Sequence, residues 1–311
     1  MFFKELGIRK PNYKLNASGS FGEQLSKIMV PLEAILIKEK PDAFLVLGDT
    51  NSSLGAIMAK RLGIRVFHME AGNRCYDDQV PEETNRRLID HSSDILLPYT
   101  ERSRSNLLVE GIPGKNIYVT GNPIAEVLDN FNDEIGKSTA LERHEVDPRR
   151  YFLLTLHRSE NVDNPFRLSK FIDALNMIVD KYEMPVIWSV HPHTRERLSN
   201  QPIGAHIKLV EPLGLFDFTL LEKNAYCVLT DSGTVQEECC LFQVPVVTLR
   251  DTTERPETIE AGSNFIAGCE PDSILNGVET VTRSRQWVAP PEYLVSNVSD
   301  KIARIVMGHY P

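Results

Sequence analysis

Short β-rich runs in this chain repeatedly end in side chains that can hold a phosphate or move a proton. LVLGDT ends in Gly48, Asp49 and Thr50, and VFHME ends in Glu70. LLTLHRSE ends in His157, Arg158 and Glu160, and SVHPH supplies His191 and His193. VLTDSGTVQEE supplies Asp231, Ser232, Gly233, Thr234 and Glu238, and TLRDTTERPE supplies Arg250, Asp251, Glu254 and Arg255. One such end is an ordinary cap, because Asp and Ser satisfy free N–H groups at helix starts. Six of them at the carboxyl ends of successive strands point to a ligand site, which is where open α/β sheets bind ligands.

Each constellation has a competing structural reading. In DSGTVQEE a strand stops at Asp231 and a helix opens at Ser232-Gly233-Thr234. Small residues let the backbone approach a ligand, and free N–H groups with the helix dipole favour a phosphate. Glu238 lies one turn inside, within range of ribose hydroxyls. The match to a P-loop is incomplete, so capping competes with phosphate binding. His191-x-His193 and His157-x-x-Glu160 match no zinc pattern, and phosphate contact or helix capping suits these histidines better. Ser232 lacks a nucleophile elbow, which argues against a hydrolase triad. Cys239 and Cys240 read as helix packing. The charged stretch VFHMEAGNRCYDDQVPEETNRR (66–87) is either a solvated loop or a site wall. Glu82 and Arg86 share a helix face at i, i+4. Asp77, Asp78, Glu83 and Arg87 read as solvated surface, and Asp251 and Glu254 as caps for the following helix.

These ends must be positioned by alternating strands and helices. The first half offers DAFLVLGD (42–49), RVFHME (65–70), DILLPY (94–99) and NIYVTG (116–121) as strands. Helical patterns cover Gly22–Glu39, Ser52–Leu62, Pro81–His91 and Ser103–Glu110. The second half repeats the rhythm with YFLLTLH, PVIWSVH, IKLVEP, YCVLTD and VPVVTLR. Such alternation predicts βαβ units and buried parallel sheets, hence an α/β fold of two Rossmann-like, doubly wound domains. The polar stretch 130–150 separates them. The expected division is 1–140, 141–290, and a C-terminal helix in 291–311 packing back toward the N-terminal domain, with the active site in an inter-domain cleft. A net charge of −9 argues against nucleic acid or an anionic membrane as the main partner. No stretch approaches the roughly 18 apolar residues of a membrane span. Five scattered cysteines without a C-x-x-C pair suggest a reducing cytoplasm.

Taken together, GDTNSS, HMEAGNR, VPEETNRRLIDHSSD, TGNP, LHRSENVDN, DSGTVQEE and RDTTERPETIEAG resemble the non-hydrolysing UDP-N-acetylglucosamine 2-epimerases, in the family's order and over most of the chain. The resemblance implies a GT-B-like fold and a homodimer. It implies interconversion of UDP-GlcNAc and UDP-ManNAc through elimination of UDP to a 2-acetamidoglucal and re-addition, in surface polysaccharide biosynthesis. It implies neither NAD nor an obligatory metal. Asp49, Glu70 and Glu82 match the family's catalytic carboxylates, and Arg86 and His157 match site residues, His157 on the diphosphate. Ser232, Gly233 and Thr234 would hold phosphate, Glu238 the ribose, Arg255 the substrate and Phe216 the uracil. A hydrolysing relative that releases UDP and ManNAc, and a UDP-sugar-binding homologue without activity, are the alternatives. The chain departs from the family at its start, where the first strand and a Gly-Thr-Arg-Pro-Glu turn do not occur. YKLN (13–16) reads as the family's third strand, so a βαβ unit of roughly 30 residues or more is expected to be absent. Its absence would expose a sheet edge beside FLVLGD and alter a regulatory UDP-GlcNAc pocket.

Overall fold

Runs of Val, Ile, Leu and Phe without polar alternation belong in sheets covered on both faces, and both sheets of this protein are parallel. The computed structural model describes residues 5–199 and 201–309. The chain forms two units, Lys10–Glu126 with Pro291–Pro311, and Met1–Arg9 with Val127–Pro290.

In the first unit, helix α1 (Phe21–Glu39) starts at a capping box, in which Ser20 Oγ accepts from Glu23 N and Glu23 Oε2 accepts from Ser20 N. Strand β1 (Ala43–Leu47), helix α2 (Gly55–Arg61), strand β2 (Arg65–Met69), helix α3 (Pro81–Ser92), strand β3 (Ile95–Leu97) and helix α4 (Glu101–Val109) follow. The three strands lie in the order β1-β2-β3. Leu36, Val46, Leu54, Ala56, Ala59, Val66 and Ile89 form a core under α1–α3. β1 is an edge strand, and its Leu45 and Leu47 are exposed.

Two expected strands are not strands. YKLN has no sheet partner among the described residues; its Tyr13 is tied instead to the last turn of α1, where Lys38 Nζ donates to Tyr13 Oη (2.9 Å) and Tyr13 Oη donates to Glu39. NIYVTG runs beside β3, with Tyr118 N donating to Leu96 O, but only Ile117 forms a bridge. The chain then turns away at Gly121, whose φ of 92° suits glycine.

The second unit holds strand β4 (Phe152–Thr155), helix α5 (Pro165–Tyr182), strand β5 (Val186–Ser189), helix α6 (Pro192–Leu198), strand β6 (Ile207–Val210), helix α7 (Leu215–Asn224), strand β7 (Cys227–Thr230), helix α8 (Gly233–Phe242), strand β8 (Val246–Thr248), helix α9 (Pro256–Ala261), strand β9 (Asn264–Ile266) and helix α10 (Pro271–Arg283). β9 was not expected from the sequence. The strand order β6-β5-β4-β7-β8-β9 is the doubly wound order. The direction of winding reverses between β4 and β7. Alternate residues feed opposite faces: Phe152, Leu154 and Trp188 pack on one side, Tyr151, Leu153 and Ile187 on the other.

The chain then returns to the first unit with helix α11 (Val298–Gly308). Its Val298 and Ile302 pack on Phe67, Ile95 and Leu97. No helix among the described residues is long and apolar enough to cross a membrane.

Candidate active site

The two units each carry a group of the expected residues. In the first unit the turns after β1 and β2 are bent into left-handed backbone, with φ of 68° at Gly48 and 67° at Glu70. For Glu70 this conformation is strained, by about 1–3 kcal/mol, and such strain concentrates at functional sites. A side chain at Gly48 would lie 3.5 Å from Glu70 Oε2, so the two turns meet. Asn73 Nδ2 donates to Glu70 Oε1 at 3.1 Å. Asp49 is held by α3: Arg86 Nε donates to Asp49 Oδ2 at 2.7 Å, and Asn85 Nδ2 to Asp49 O at 2.9 Å. Glu82 is half-buried in the first turn of α3, one turn before Arg86.

Glu83, expected on the surface, is fully buried. Its carboxylate accepts from the backbone N–H groups of Cys75 (3.0 Å) and Tyr76 (3.2 Å) and pairs with Arg86 Nη1 at 2.5 Å. Burial pushes this carboxyl up, but the Cys75 bonds and the Arg86 charge outweigh it and hold Glu83 below the ordinary range. Helix spacing alone does not show which of two adjacent glutamates turns inward. Arg87 keeps its expected surface role, half-exposed between Glu83 and Asp78.

Beneath these turns lies a buried ion network that the sequence reading did not single out. His68 Nδ1 pairs with Asp90 Oδ1 (2.7 Å), and His68 Nε2 lies 3.0 Å from Gly48 O. Asp90 Oδ2 also receives Arg74 Nη2 (2.7 Å) and Gly72 N (3.2 Å), and Arg74 grips Glu110 with two bonds. Burial raises the Asp90 carboxyl, and the His68 and Arg74 partners reverse this and hold it low. The available signal was the stripe Asn85, Arg86, Ile89, Asp90 on α3, whose i, i+3, i+4 spacing marks one buried face.

In the second unit the site is built at the switch point. Asp231, directly after β7, is fully buried and accepts from Arg158 N (2.9 Å), Asn161 Nδ2 (3.1 Å) and His157 N. It also pairs with His157 Nδ1 at 3.0 Å. The Asp231 bond raises the His157 pKa against the opposing effect of burial, and Nε2 is left for a ligand. Ser232 is the N-cap residue of α8, yet its hydroxyl makes no capping bond. Gly233 is buried against Glu254, and a Cβ there would fall 2.8 Å from Glu254 Oε1. Only glycine fits without a shift. Thr234 is exposed at the first turn. The expected cap Glu254 is instead a buried bridge between Arg250 (2.8 Å) and Arg158 (3.5 Å), and Arg255 is itself the N-cap residue of α9. Arg255 pairs through Nε with Glu237 of α8. His191 caps α6 by accepting from His193 N, while His193 pairs with Asp163. Glu238 is buried against Glu222 of α7. Phe216 packs on Phe131 with ring centroids 5.5 Å apart. Cys239 and Cys240 are both buried.

The second unit can hold an anion at the start of α8 beside a histidine whose pKa is raised by Asp231, and the first unit, by itself, offers carboxylates on and beside α3 for proton transfer. A profile of the UDP-N-acetylglucosamine 2-epimerase family matches residues 1–307. A UDP-N-acetylglucosamine 2-epimerase of Methanococcus maripaludis is 44% identical over 99% of this chain and 87% of its own. A UDP-2,3-diacetamido-2,3-dideoxy-D-glucuronate 2-epimerase of Pseudomonas aeruginosa is 36% identical over 90% of this chain and 79% of its own. The crystal structure of Methanocaldococcus jannaschii UDP-GlcNAc 2-epimerase, in complex with UDP-GlcNAc and UDP, superposes with a TM-score of 0.92 at 42% identity, over 99% of this chain and 87% of that one. With its motifs, its doubly wound sheet and these likenesses agreeing, the chain belongs to the UDP-N-acetylglucosamine 2-epimerase family.

Proposed function

We propose that this chain is an isomerase that inverts C2 of a UDP-linked 2-acetamido sugar, interconverting UDP-GlcNAc and UDP-ManNAc for surface polysaccharide synthesis. The observation that carries the reading is the switch point. There Asp231 raises the His157 pKa, beside a helix start with a free Ser232 hydroxyl and a glycine pressed against Glu254. That suits a diphosphate, since helix N-termini and a cationic imidazole both favour negative charge. In the proposal Ser232, Gly233, Thr234 and His157 hold the diphosphate, Arg255 contacts the substrate, Glu238 the ribose and Phe216 the uracil.

The proton at C2 is weakly acidic, so inversion proceeds by elimination. A carboxylate takes the C2 proton, and the C–H electrons form a C1–C2 double bond. The C1–O bond breaks, and its electrons leave on the UDP phosphate. UDP then adds back to C1 while a proton reaches the opposite face of C2. Two faces require more than one proton carrier, and Asp49, Glu70 and Glu82 fill these roles. Arg86 fixes the Asp49 carboxylate through its 2.7 Å bond. The P. aeruginosa likeness favours a second reading, the same C2 chemistry on a diacetamido uronate.

Product analysis by NMR tests the function. UDP-GlcNAc should yield UDP-ManNAc with the nucleotide retained. Stoichiometric UDP with free ManNAc would identify a hydrolysing enzyme, and turnover of the diacetamido uronate alone would shift the substrate.

A further inference from the structure

Among the buried carboxyls that the proposed mechanism does not use is Glu222. Glu222, near the end of α7, is completely buried, and Glu238 of α8 is nearly so. The two carboxyls lie within hydrogen-bond reach of each other. Cys239 Sγ donates to Glu222 Oε1 at 3.3 Å, while no donor reaches the buried Glu222 Oε2. Carboxylates only accept, so two of them in contact hydrogen-bond only when one holds a proton. An unshared pair of buried negative charges would be strongly unfavourable.

We propose that Glu222 is a positioning residue: it keeps a proton, donates it in a hydrogen bond to Glu238, and so fixes the Glu238 carboxylate for the ribose hydroxyls of the nucleotide. The inference rests on the reading that Glu238 meets the ribose. Burial raises both carboxyls; the Glu237 charge adds to it at Glu238, which is pushed up to about 8 although the hydrogen bond from Glu222 opposes the rise, and the Glu238 charge raises Glu222 further. Glu238 therefore ionises first as pH rises through about 8, and Glu222 keeps the proton. The neighbouring titratable groups do not supply the donor. Glu237 is a carboxylate paired with Arg255, the Cys239 thiol already bonds Glu222, and the Tyr151 hydroxyl donates to Leu221 O. Cys239 and Tyr151 are both raised by burial and stay neutral near neutral pH.

The test uses the full chain with UDP and 2′-deoxy-UDP as probes, with binding measured at about pH 9, above the value of about 8 to which Glu238 is pushed. Infrared difference spectra at about pH 9, where free carboxyls are ionised, should show one neutral carboxylic-acid stretch in wild type that is missing from Glu222→Gln. The glutamine amide replaces the O–H donor, so this variant should keep the wild-type preference for UDP. Glu222→Leu cannot donate and should lose that preference by about tenfold, the loss of one charge-assisted hydrogen bond, while still binding 2′-deoxy-UDP. An absent acid band, a full preference in Glu222→Leu, or a loss in Glu222→Gln equal to that in Glu222→Leu would each overturn the proposal. If Glu222→Leu does not fold, the infrared band and Glu222→Gln decide. An unchanged preference in Glu238→Gln would instead overturn the ribose reading beneath it.

Discussion

At the residue scale the proposal gives Glu82 and His157 different work, and each role has its own signature. If Glu82 carries a proton at C2, Glu82→Gln should slow epimerisation by roughly 10²-fold or more while the UDP dissociation constant stays within a few-fold. Equal weakening of UDP binding and turnover would assign Glu82 to binding. His157 is raised above 6.5 by Asp231. A group with a raised native pKa contributes fully below its ordinary value, and its contribution fades as pH rises through the shifted value. UDP affinity should therefore hold at and just above pH 6.5 and fall as His157 loses its proton, and His157→Gln should remove that pH dependence. Titration calorimetry across this range checks it, and an identical pH profile in His157→Gln would contradict the assignment.

Helix α3 organises the first unit's carboxylates. Asn85 and Arg86 hold Asp49, Glu83 holds the backbone of Cys75 and Tyr76, and Asp90 reaches His68, which in turn grips the carbonyl beside Asp49. Asp90→Asn removes the charge between His68 and Arg74, and breaking such a buried pair costs about 3–5 kcal/mol. The exposed Glu101–Arg104 pair should matter little, within about 0.5 kcal/mol for Glu101→Gln. Urea denaturation of both variants checks the contrast, and equal midpoints would contradict it. Much of α3 was legible, because Pro81 marks its start and Glu82 and Arg86 share one face at i, i+4. The inward turn of Glu83 was not, since it depends on backbone N–H groups that the 75–76 turn brings up. Glu254 was misread for the same reason: its partners Arg158 and Arg250 come from different loops. NIYVTG has the composition of a strand but pairs only at Ile117. β9 has only three residues and is specified by its neighbour β8 rather than by its own pattern.

For the whole molecule, the alternation of strands and helices predicted the parallel sheets, and the ends of β4 and β7 were legible as a candidate ligand site because both stop in polar, small or titratable residues. The strand order that places them side by side was not, since it is a property of the winding. It leads to a prediction about where nucleotide binds. UDP should slow hydrogen exchange at residues 157–161 and 231–238 while leaving strands β1–β3 nearly unchanged. Protection concentrated on β1–β3 would reverse the assignment of nucleotide to the second unit. Binding at about 100 times the dissociation constant should also stabilise the protein by about 2.7 kcal/mol.

The central claim is that a proton leaves C2 and another returns on the opposite face. Incubation with UDP-GlcNAc in D₂O, followed by NMR, tests it most directly. Deuterium should enter at C2 of both UDP-sugars, with UDP retained on the sugar. Nucleotide binding without exchange, or epimerisation that keeps the original hydrogen at C2, would contradict it.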